Sequence, residues 1–185
     1  MTPGGPAGRK VVAGYFVSAD GVAESPDRFI TAWDDETDAK GVQLIETQDA
    51  VILGRRSYTE WARFWPGSDI EPFATFINGV AKYVVTSTPL DGDWAAASVL
   101  EGGLVEGVRA LKQESGGDIG VHASISVAQS LLAADLVDEL KLVIAPRITG
   151  SGRRLLDGLP SVKLETVASR VSPTGYLLVD YRVAR

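Results

Sequence analysis

The chain has 185 residues, 45% of them apolar and 23% charged, with a net charge of −6. An acidic balance argues against a general nucleic-acid binder. Zero cysteines exclude disulfides, thiol catalysis and thiolate metal sites, and a single histidine, His122, excludes a multi-histidine metal centre. No apolar run approaches the roughly 20 residues of a membrane span, and the start lacks a signal-peptide core. The expectation is a cytoplasmic protein without metal, membrane or nucleic-acid partners. It reads as one domain over 9–185 behind a Gly- and Pro-rich leader over 1–8.

In chain order, Lys10–Ser18 is rich in Val and aromatics and predicts the first strand. It ends in Ser18-Ala19-Asp20-Gly21, where Asp20 is either a pocket carboxylate or the acceptor of an Asx turn. A polar connection leads to a helix predicted over Asp34–Thr47, with acids in its first turn. Trp33 at its entrance is either a hydrophobic staple or a wall for a planar ligand.

The run Ala50-Val51-Ile52-Leu53 suits a strand buried on both faces, and it leads directly into Gly54-Arg55-Arg56-Ser57-Tyr58. Gly54 permits a tight turn and close approach of a ligand. The two guanidiniums match phosphate oxygens, and Ser57 can cap the helix predicted from there to Phe64. This turn is either a surface loop with exposed arginines or a site for a polyanion.

A short helix is predicted over Glu71–Gly79, then a strand over Lys82–Thr86 that Ser87-Thr88-Pro89 ends. A weaker strand, Trp94–Leu100, precedes a helix over Leu104–Glu114 and a fifth strand, Asp118–His122. Next, Ala123-Ser124-Ile125-Ser126 enters a helix that begins near Val127, so this turn is a second candidate anion site or simply a capped helix. The last third reads as three strands, Val137–Ala145, Lys163–Val171 and Tyr176–Val183. The loop Pro146–Leu159 between the first two is an exposed excursion or a phosphate-binding rim. The pattern predicts a three-layer α/β fold whose mostly parallel sheet carries antiparallel C-terminal strands. Ligands in such sheets bind at the C-terminal strand ends, where the turns at Asp20, Gly54–Ser57, Thr86–Thr88 and Ala123–Ser126 all lie.

Several of these segments resemble the dihydrofolate reductase superfamily, in the branch of the C-terminal reductase domain of bifunctional riboflavin-biosynthesis proteins. The resemblance rests on Ser18-Ala19-Asp20-Gly21, Leu53-Gly54-Arg55-Arg56-Ser57-Tyr58, Tyr83-Val84-Val85-Thr86-Ser87 and the stretch from Ser130 to Leu140. It implies an NADPH-dependent reductase of a small heterocycle, acting as a homodimer. It further implies that Gly54, Arg55, Arg56 and Ser57 hold cofactor phosphates, with Thr86 and Ser87 near the 2′-phosphate. Ala123, Ser124, Ile125, Ser126 and Val127 would receive the pyrophosphate at a helix start. Hydride transfer belongs to the nicotinamide, so the protein supplies positioning and a proton. Asp20 is the first candidate for the proton, Asp34 or Asp35 the alternative, and Trp33 would stack on the substrate ring.

Two features depart from the family pattern. Ala123-Ser124 stand where members carry glycine, and the peptide between them is expected to be trans. These two side chains leave open a second reading, a nucleotide-binding module that keeps the fold without turnover. No unambiguous counterpart exists for the acid that dihydrofolate reductases carry in the helix after the first strand.

Overall fold

The computed structural model describes residues 8–185, so all of the expected leader except Gly8 lies outside the described residues. The run Ala50 to Leu53 forms the middle of strand β2 (Gln48–Gly54) and is buried on both faces. Ala50 and Ile52 enter one apolar layer, while Val51 and Leu53 enter the layer on the other face. That division is what a continuous apolar strand requires, since successive side chains point to opposite faces.

The other elements follow the predicted order. They are β1 (Val11–Ser18), α1 (Asp35–Ile45), α2 (Arg55–Phe64), α3 (Phe73–Gly79), β3 (Ala81–Val85) and β4 (Ala97–Val99). After these come α4 (Gly103–Gln113), β5 (Asp118–Val121), α5 (Ile125–Ala133), β6 (Glu139–Ala145), β7 (Leu164–Val171) and β8 (Leu177–Val183). All eight strands join one sheet in the order β4-β3-β2-β5-β1-β6-β8-β7. Strands β4 through β6 in that row are parallel, and β8 and β7 are antiparallel additions. No helix among the described residues is long and apolar enough to cross a membrane.

Boundaries shift where a side chain changes the local balance. Helix α1 starts one residue later than expected because Asp34 is its cap: Oδ1 accepts from the Thr37 N–H at 2.8 Å. Helix α2 begins at Arg55 rather than Ser57, with Gly54 at the cap in an extended conformation (φ −75°, ψ 158°). Ser57 therefore lies in the first turn of that helix and does not cap it. Gly54 is not needed for a left-handed turn, and a Cβ there would meet Ser124 Oγ at an ordinary 3.4 Å.

Lys82 sits at the join of α3 and β3, with none of its surface exposed. Its ammonium donates to the carbonyls of Ile77 and Val80, both at 2.8 Å, and of Asn78 at 3.4 Å. It lies 4.7 Å from the centre of the Trp94 ring. The last turn of a helix leaves carbonyls without partners, and here one buried cation fills that need.

Candidate active site

Helices α2 and α5 both start at C-terminal ends of parallel strands, and neither has a side-chain cap. Their free N–H groups and dipoles favour an anion. One residue couples the two starts: Ser124 Oγ accepts from the Gly54 N–H and donates to Ser57 Oγ, each at 2.8 Å. The buried Tyr15 hydroxyl donates to the Ser124 carbonyl at 3.0 Å, which adds β1 to the join. The Ser124 side chain is thus turned toward α2 and holds the two turns together. The only cis peptide among the described residues precedes Pro72, so Ala123-Ser124 is trans, as expected.

Both helix starts open onto a cleft of about 910 Å³. Trp33, Gly54, Arg55, Arg56, Ser57, Ala123, Ser124, Ile125, Ser126 and Val127 all line it. Thr86 and Ser87 lie outside this lining, but their loop meets it through Arg55. The Arg55 guanidinium donates to Pro89 O at 2.6 Å and Thr88 Oγ1 at 3.3 Å, and pairs with Asp91. Thr88 Oγ1 in turn lies 3.2 Å from Thr86 Oγ1. Arg56 is exposed, with Nε on Glu60 at 2.9 Å. The loop after β6 adds a rim: Arg153 lines the cleft and donates to Ser126 Oγ at 2.9 Å. A Gly- and Arg-containing loop was the signal for it.

Neither of the two carboxylates favoured on sequence lines the cleft, and each is engaged elsewhere. Asp20 Oδ1 accepts from Ser18 Oγ at 2.6 Å and the Thr149 N–H at 3.1 Å, and Oδ2 from the Gly150 N–H at 2.9 Å. These bonds, that from Ser18 foremost, hold its carboxyl well below the usual range, so it fastens the Thr149–Gly150 turn as an anion. Asp34 caps α1 and also accepts from the Thr174 N–H at 2.9 Å. Burial alone would raise its pKa, but the bonds from Thr174 and Thr37 outweigh it and pull it below the ordinary value.

Asp38, one turn further along α1, does line the cleft and accepts from Trp33 Nε1. Asp38 shares the cleft with four other acids, Glu24, Asp27, Glu60 and Glu71. Glu24 accepts from the Arg153 N–H, Glu60 pairs with Arg56, and Glu71 accepts from Thr75 at the start of α3.

The far part of the cleft is aromatic. Trp33 lies 5.5 Å from Phe16, ring centre to ring centre. On the α2–α3 side, Trp65 is 5.6 Å from Trp61 and 4.8 Å from Phe73. His122 lies beside them, its ring 5.6 Å from Phe73 and nearly perpendicular to it. Burial pushes the imidazole down to about 4, so it is neutral at pH 7.

Comparison with known proteins agrees with this geometry. The model of the family described as the RibD C-terminal domain matches residues 9–178. The chain is 24% identical over 178 residues to the uncharacterized Bacillus subtilis protein YyaP, and the alignment covers 94% of each chain. Among solved structures it is similar to the Thermotoga maritima diaminohydroxyphosphoribosylaminopyrimidine deaminase/5-amino-6-(5-phosphoribosylamino)uracil reductase. The identity is 18% and the TM-score 0.68, over 96% of this chain and 57% of that one. An Enterococcus faecalis dihydrofolate reductase complexed with NADP(H) superposes with a TM-score of 0.63 at 17% identity, covering 95% and 97% of the two chains. The fold is dihydrofolate reductase-like.

Proposed function

Because the chain belongs to the RibD C-terminal domain family, we propose that it is an NADPH-dependent reductase of a small heterocyclic metabolite. The observation that carries this reading is the pair of uncapped helix starts, α2 and α5, on one cleft with Arg56 and Arg153 at their edge. Two such ends and two cations suit a pyrophosphate. When bound, the nicotinamide supplies the hydride. The remaining tasks fall to this chain's own residues. The N–H groups of Arg56 and Ser57 on α2, and of Ser126 and Val127 on α5, hold phosphate oxygens. Arg55, beside Thr88 and the Thr86–Ser87 loop, meets the 2′-phosphate after exchanging its exposed partner Asp91 for it. Asp38 delivers the proton to the substrate heteroatom, in the role first given to Asp20 and Asp34.

The cofactor assignment is tested by melting. A ligand at 100 times its dissociation constant stabilises a fold by about 2.7 kcal/mol. NADPH should raise the melting temperature at concentrations where NADH hardly does, and Arg55→Ala should narrow the gap. Equal shifts from both cofactors would remove the 2′-phosphate site, and no shift from either would leave the non-catalytic module as the better reading.

The proton source is tested by turnover. Asp38→Asn keeps the shape and the contact with Trp33 but has no carboxyl proton. It should lower kcat on a substrate found by NADPH oxidation across a metabolite panel by about a hundredfold, with NADPH affinity unchanged. An unaltered kcat would return the role to another group.

A further inference from the structure

The aromatic end of the cleft carries information that the phosphate-holding turns do not. Three of the large apolar side chains the protein leaves exposed, Trp33 (47%), Phe64 (53%) and Ile70 (54%), line this one cleft. Exposed aromatic surface gathered in a concavity is covered when a flat apolar ligand enters. Aromatic walls also favour a planar ring on electrostatic grounds, since ring faces and edges attract one another.

The cations at this end already have partners. Lys40 of α1 pairs with Asp180, and Lys141 of β6 lies 3.5 Å from Glu139. Asp38 and Glu71 add negative charge to the lining. Both lysines of the lining are thus paired, so a phosphate beside Asp38 or Glu71 would meet a carboxylate and no free lysine, and desolvating its charge without a counter-ion is costly.

His122 supplies direction. Gln48 Nε2 donates to the Leu44 carbonyl at 2.7 Å, which leaves Oε1 to face His122 Nε2 at 2.8 Å. An amide oxygen accepts only, so the imidazole proton sits on Nε2 and the Nδ1 lone pair is bare. Nδ1 has no hydrogen-bond partner among the described residues, on a side chain that lines the cleft. A neutral imidazole held in one tautomer is a fixed acceptor beside the aromatic wall.

We propose that this end of the cleft is a subsite for a flat, phosphate-free heterocycle that donates a ring N–H to His122 Nδ1. The inference rests on the reductase reading for its purpose, and it defines the substrate class within that reading.

The test uses quenching of tryptophan fluorescence without NADPH, with two matched pairs of probes. Lumazine should bind about tenfold more tightly than its 1,3-dimethyl derivative, which has no ring N–H. His122→Leu should abolish that preference. Riboflavin 5′-phosphate should bind no more tightly than riboflavin. Equal binding of the two lumazines, a preference that survives His122→Leu, or a tenfold gain from the phosphate would each overturn the proposal. If His122→Leu fails to fold, the wild-type comparisons alone decide it. The NADPH melting shift is measured separately. A shift without ring binding defeats the subsite and spares the reductase reading, whereas ring binding with the stated preferences and no shift supports the subsite and defeats the cofactor assignment.

Discussion

Replacing Lys82 with alanine should cost about 4–6 kcal/mol, close to the whole stability of many domains. Three effects compete. Burial penalises the charge and pushes the Lys82 ammonium down to about 8 from its ordinary 10.5, which corresponds to about 3 kcal/mol against the charged form. Against this, each carbonyl left without a partner costs about 1–3 kcal/mol, and the ammonium serves those of Ile77, Val80 and Asn78. Losing the four-carbon stem adds a cavity beside Trp94, at roughly 2 kcal/mol or more. The carbonyls and the cavity together exceed the relief of uncharging the site. Lys82→Met keeps most of the volume and should cost less, about 2–3 kcal/mol. The sign with pH follows from the lowered pKa. Below about pH 8 the folded and unfolded chains both hold the proton. Between about 8 and 10.5 the unfolded chain holds more, so stability rises with pH across that window. Urea unfolding of both proteins at pH 7.5 and 10 should show this extra gain in the wild type and none in Lys82→Met. A Lys82→Ala protein as stable as the wild type would refute the account.

Acid should weaken the fold through His122 before most carboxylates begin to titrate. The folded-state value of about 4 lies below the ordinary 6.5 because the ring is buried against Phe73 and Phe76. Its contribution is complete above pH 6.5, where neither state is protonated. As pH falls toward 4 only the unfolded chain gains a proton, and about 3 kcal/mol is lost by the bottom of the window. His122→Leu has no imidazole to titrate, so the difference between its stability and that of the wild type should change by that amount between pH 7 and 4. A constant difference would mean that the ring protonates in the folded state without penalty.

Much of the fold was legible because parallel strands write themselves as apolar runs, unbroken at Ala50–Leu53 and interrupted only by Lys141 in Leu140–Ala145. The two turns that open onto the cleft were legible for a related reason: each follows a strand and opens a helix. What stayed hidden depends on partners far along the chain. Reading the sequence names Asp34 or Asp35 and passes over Asp38, and nothing local shows that Thr174 engages Asp34 from 140 residues away. Likewise, no local pattern reveals that Gln48 orients His122 across 74 residues. Lys82 reads as an ordinary strand residue because its burial comes from the end of α3 and from Trp94, not from its own alternation. Asp20 was read as a pocket acid or as the acceptor of an Asx turn, but its partners are Ser18 and the distant Thr149–Gly150 loop, while the Val22 N–H goes to Ser18 Oγ.

The place of β1 in the sheet has a consequence for how the protein is made. It is the first strand in the chain, yet its two neighbours are β5 and β6, with Val11 beside Ile119 and Ser18 beside Ala145. At synthesis rates of about 5–20 residues per second, β1 leaves the ribosome roughly 5 to 20 seconds before its first neighbour exists. During that interval Val11-Val12-Ala13-Gly14-Tyr15-Phe16-Val17 is an apolar, uncharged segment with no strand to pair with. Such a segment pairs readily with other unfinished chains. Shielding of this segment until β5 and β6 emerge is therefore a requirement separate from the stability of the finished sheet.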